Sequence, residues 1–125
     1  MTDDQARYQA LAACGAALIT FIGICHEVVG AELFPWGPAF LGGPIGWNGV
    51  GLLATAAGLA LLGGTLRLYR FPVVAFSLLA ACIGAFFLIV TATLHHQFHL
   101  FALVGSLSGA GTAYFHRKGN QPCPR

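Results

Sequence analysis

The sequence predicts an all-α integral membrane protein: a four-transmembrane-helix antiparallel bundle with both termini cytoplasmic. Three observations lead there. The 125 residues are 57 % hydrophobic and only 8 % charged, whereas a soluble domain carries about 25 % charged residues. So few charges cannot cover a surface that faces water. Polar or Pro/Gly-rich breaks divide the chain into four apolar runs, each near the about 20 residues that a spanning helix needs. With four spans, all six basic residues (Arg7, Arg67, Arg70, Arg117, Lys118 and Arg125) fall on the same side.

The first span is expected over residues 7–29, after a polar start. Residues 30–46 hold three prolines and five glycines, so they should form a loop rather than a continuous helix. The loop is nevertheless apolar, with Leu33, Phe34, Trp36, Phe40, Leu41 and Ile45. It should lie in the headgroup zone or fold over the bundle, and Trp36 and Trp47 suit an aromatic belt there. The second span, 47–66, is rich in small residues, with Ala54/Gly58 and Ala60/Gly64 spaced i,i+4. Such faces let helix backbones approach closely in lipid.

Arg67, Tyr69 and Arg70 end that span, and Pro72 suits the first turn of the next. The third span is expected over 71–94 and the fourth over 98–115. The stretch 71–115 is too long to cross once, and His95-His96-Gln97 is its only polar turning point. Gly105 and Gly109 form a GxxxG packing face in the fourth span. His116, Arg117 and Lys118 end it, and a polar tail occupies 116–125.

Orientation follows from the basic residues. The N-terminus, the middle loop and the C-terminus carry every Lys and Arg. By the positive-inside rule these parts are cytoplasmic, and a bacterial inner (plasma) membrane is the expected location. From Arg7 to Glu27 is about 30 Å of helix, and from His99 to Arg117 about 27 Å, both close to the thickness of the hydrocarbon core. Glu27 and His99 should therefore sit at one level, near the outer boundary.

The candidate site is the set His26, Glu27, His95, His96 and His99, all expected on that outer side. Three or four imidazoles with a carboxylate form a ligand set for a transition metal such as zinc, copper or iron, for metal handling or redox chemistry. Trp36 and the Pro/Gly loop would cover it. Two histidines on neighbouring helices could instead hold haem b non-covalently, since no Cys-x-x-Cys-His site is present. Histidines also sit at membrane interfaces for purely structural reasons. His26-Glu27 lacks the second histidine of an H-E-x-x-H helix, because position 30 is Gly. Coupled transport is disfavoured, since no ionisable residue lies mid-span.

The remaining class is an accessory or assembly subunit of a larger membrane complex with no site of its own. The lipid bilayer is the expected partner, alongside a homo-oligomer or larger complex. The absence of a Lys/Arg stripe excludes nucleic acid. The four cysteines, Cys14, Cys25, Cys82 and Cys123, form no CxxC pair. Cys14 and Cys82 lie midway along apolar runs and should be small core residues. Cys14 does not mark a lipoprotein cleavage site, because Asp3, Asp4 and Arg7 precede it instead of an apolar run. Cys123 is third from the end, so it is no prenylation box.

Overall fold

A computed structural model describes residues 2–121. Its elements are α1 (Asp3–Leu33), a short α2 (Gly37–Phe40), α3 (Pro44–Thr65), α4 (Val73–Leu94) and α5 (Leu100–Gly119). No strand occurs among the described residues. Helices α1, α3 and α4 are each long and apolar enough to cross a membrane. Helix α5 is less apolar, with Ser106, Ser108 and Thr112 along it and His116-Arg117-Lys118 in its last turn. Arg117 and Lys118 place their charges at the negative end of the helix dipole.

The start of α1 is fixed by a capping box. The Thr2 hydroxyl accepts from the Gln5 N–H (3.2 Å), and the Gln5 side-chain oxygen accepts from the Thr2 N–H (2.9 Å). The buried residues of α1 are Ala12, Ala16, Ile19, Gly23, His26 and Gly30. Their alternating spacing of four and three puts all of them on one face. Four of the six are Ala or Gly, so neighbouring backbones can press close. Helix α3 does so: Thr20, Gly23 and Glu27 of α1 meet Gly58, Thr55 and Gly51 of α3, respectively.

Helix α1 also packs on α5, and α5 on α4, whereas α3 and α4 barely touch. The long helices thus run round the bundle as α3, α1, α5, α4, with the ring left open between its two ends. Cys14 and Cys82 are exposed on outer faces rather than packed in the core. Cys14 falls off the buried stripe of α1, which passes through Ala12 and Ala16 instead. Cys123 lies outside the described residues.

Two differences from the sequence expectation shape the site. Helix α1 does not stop at residue 29 but runs through Gly30 to Leu33. Gly30 serves there as a gap rather than a breaker: a Cβ on it would lie 3.1 Å from Trp47 Nε1 and 3.3 Å from His26 Nδ1. Helix α3 starts at Pro44, three residues earlier than expected, so the connection is short and contains α2. Trp47 is then one turn inside α3 and fully buried, packed inward rather than facing out of the bundle. Gly37 lies directly under its indole, where any side chain would collide.

The α3–α4 turn has a Schellman close. The Leu68 N–H reaches Gly63 O (3.0 Å) and the Arg67 N–H reaches Gly64 O (3.1 Å). Arg67 occupies the left-handed position with φ of 61°. Glycine is usual there, and an L-residue costs roughly 1–2 kcal/mol.

Candidate functional site

The site lies where the far end of α1 meets the α4–α5 turn. His26 enters it because the buried stripe of α1 passes through position 26. Its neighbour Glu27 is exposed, with only its backbone against Gly51. His99 enters from the turn. It is the N-cap of α5, and its Nδ1 accepts from the Ala102 N–H at 3.0 Å. Both histidines are buried, with 5 % of His26 and 2 % of His99 exposed.

The two rings are nearly parallel (4°) with centroids 6.1 Å apart. Aromatic rings wall them in. Trp47 lies 4.4 Å from His26, Phe34 stacks on His99 at 4.1 Å, and Phe101 stands edge-on to both. Neither nitrogen of His26 has a hydrogen-bond partner, and neither does Trp47 Nε1. A buried polar group without a partner costs about 1–3 kcal/mol. His26 therefore carries a cost that its own protein neighbours do not offset.

Below the pair lies a cavity of about 470 Å³, between α3 and α4 and floored by α1 and α5. That volume is within the about 300–1,000 Å³ of small-molecule sites. His26 and His99 are the only polar residues that line it. Its rim includes Leu53, Phe76, Leu79 and Ile83, all exposed on the outside of the bundle. The cavity thus opens sideways, through the gap where the ring of helices does not close.

The other expected ligands are not gathered here. His95 stacks face to face on Trp36, with centroids 3.9 Å apart and 8° between planes. His96 is exposed, in the left-handed region at φ of 50°. Among the described residues no three His, Cys, Asp or Glu side chains come together as a metal-binding group. The set His26, Glu27, His95, His96 and His99 is therefore divided into one buried pair and three separate residues.

The pair itself is poorly suited to a metal. With Nδ1 accepting from a backbone N–H, a neutral His99 ring carries its proton on Nε2 and is a donor there. Metal-bound histidines show the reverse pattern, in which the second nitrogen donates and the first is free to bond. The same objection applies to His99 as an axial haem ligand.

Above the pair, Gln97 bridges the α4–α5 turn to Trp36 and the end of α1. Its side-chain oxygen accepts from Trp36 Nε1 at 2.5 Å, and its Nε2 donates to Leu33 O at 2.8 Å. Trp47 and Gln97 are components that sequence reasoning missed, whereas Phe34 belongs to the loop expected to cover the site. The α1 stripe of small residues at 12, 16, 23 and 30 was the available signal. It marks the buried face, takes His26 inside and leaves Glu27 out. No protein-family model matches this chain, and neither curated proteins nor solved structures give a match.

Proposed function

We propose that this chain is a four-span antiparallel membrane bundle with cytoplasmic termini, and that its outer-leaflet cleft binds a lipid-soluble molecule with a carbonyl oxygen, of the quinone class. One observation carries the reading: His26, nine-tenths buried and with neither ring nitrogen partnered, stands with His99 at the head of an otherwise apolar, sideways-open cavity. His99 supports it as a donor on Nε2, the hydrogen-bonding sense that a carbonyl oxygen requires. An apolar tail would lie along Ile19, Ile22, Ile83 and Phe87. The orientation rests on the basic residues, which cluster away from the histidines. The redox expectation is retained, with an organic carrier in place of a metal ion.

The test is a titration of purified protein in nanodiscs with a short-tailed benzoquinone, against protein-free nanodiscs as background. Saturable binding is expected. His26→Leu should weaken it about tenfold, the equivalent of one hydrogen bond of about 1.4 kcal/mol. The same variant should raise thermal stability, because it removes a buried group that lacks partners in the free protein. His99→Asn, which keeps an N-cap acceptor, should bind weakly while staying folded. Binding no greater than background, or unchanged in both variants, would overturn the proposal.

A further inference from the structure

The opposite end of the bundle carries an open surface groove, of about 720 Å³, among Arg67, Tyr69, Arg70, Phe71, His116 and Asn120. No residue that lines it is acidic. Two guanidinium groups border it, although the whole chain has only six basic residues. The walls are tied in place. Arg67 donates to Asn120 Oδ1 at 2.7 Å and to Gly119 O at 3.4 Å. Asn120 Nδ2 in turn lies 3.0 Å from His116 Nε2. Tyr69 donates to Ala60 O at 2.6 Å, anchoring the turn back on α3.

Three further features point to an anion. The first turn of α4 begins at this groove, next to Phe71 and Pro72, with no side-chain cap and no acidic residue. The Val73 N–H is already bonded to Phe71 O at 2.8 Å, so what the helix start adds to the two arginines is the positive end of its dipole. Arginine occupies a left-handed backbone position where glycine would be easier, so the guanidinium is placed here against the local backbone preference. Arg70 is exposed and can turn its fork towards a bound group. The planar fork of arginine matches the oxygens of phosphate in a bidentate manner. Leu66 and Leu68 are exposed beside the same turn, at 44 % and 74 %, so apolar surface adjoins the groove.

We infer that this groove binds an anionic phosphate group through Arg67 and Arg70. Its source is either the headgroup of an anionic phospholipid or free phosphate. Basic pockets between spanning helices on the cytoplasmic side are known to hold such headgroups.

The experiment uses the full chain in detergent, probed in separate arms with phosphatidylglycerol, phosphatidylcholine and inorganic phosphate, with binding read by native mass spectrometry and calorimetry. Retention of phosphatidylglycerol over phosphatidylcholine, without binding of inorganic phosphate, identifies the lipid source. Binding of inorganic phosphate identifies the soluble one. In either case Arg70→Gln should weaken binding about tenfold. Arg67→Gly should weaken it as much with little change in melting temperature, since relief of the left-handed strain offsets the lost bonds to Asn120 and Gly119. Weakened binding at a near-wild-type melting temperature separates lost binding from lost folding. No preference for phosphatidylglycerol together with no phosphate binding, or wild-type affinity in both arginine variants, would overturn the inference.

Discussion

The contact between α4 and α5 gives the most direct test of the packing. Gly109 lies against the backbone of α4: an added Cβ would sit 2.7 Å from Ser77 O and 2.8 Å from Ala81 N. Both atoms belong to the main chain, so no side chain can rotate away and the helices must part. Overpacking of this kind costs about 1–3 kcal/mol. Separation would also stretch the bond from Ser106 Oγ to Ala81 O, now 3.0 Å.

Gly111, two residues on, provides the control, because its added Cβ would meet nothing within 4 Å. Both glycines are inside α5, so the helix-propensity gain of about 1 kcal/mol on changing Gly to Ala is common to both and cancels in the comparison. Gly109→Ala should therefore be less stable than Gly111→Ala by about 1–3 kcal/mol. Unfolding in mixed micelles by SDS titration, followed by circular dichroism, measures the difference. Equal stability of the two variants, or a more stable Gly109→Ala, would refute the close approach of α4 and α5.

Two further outcomes are expected. A reporter fused after Arg125 should read cytoplasmic and one inserted at Gly42 external; the reverse result would invert the bundle and move the histidine pair to the inner leaflet. His116, in the last turn of α5, is held below the usual histidine range by burial and then by the nearby Arg67. The folded state therefore resists protonation that the unfolded chain accepts, so stability contributed by His116 is present above about pH 6.5 and is lost as pH falls below it. Melting temperatures at pH 7.5 and 5 should diverge more for the wild type than for His116→Gln, and equal pH slopes would remove this role.

Much of the helical architecture was legible because lipid-level helices need long apolar runs, and the runs ending at Thr65 and Leu94 are bounded by Arg67 and by the His95 turn. The interior was less legible. A tryptophan near a span end suggests an interfacial belt, yet Trp47 fills the gap left by Gly30 and Gly37, two glycines from other segments. Only three-dimensional adjacency reveals that fit. The GxxxG signal was half informative: Gly109 meets α4 backbone, while Gly105 meets only the tip of Ile22. Depth along the helix correctly suggested that the end of α1 and the α4–α5 turn share a level. It could not say which side chains point inward, so His26 and Glu27 were grouped although one is buried and the other exposed.

The Gln97 bridge has a consequence for how molecules reach the histidines. It ties Trp36 and the Leu33 carbonyl to the α4–α5 turn above the two buried histidines. The open route is lateral, between α3 and α4. For the lipid-soluble ligand proposed above, occupancy at His26 would then follow how much has dissolved in the bilayer rather than its aqueous concentration. Partitioning into the membrane would act as the first filter, and molecules too polar to enter lipid would be rejected before any side chain is met.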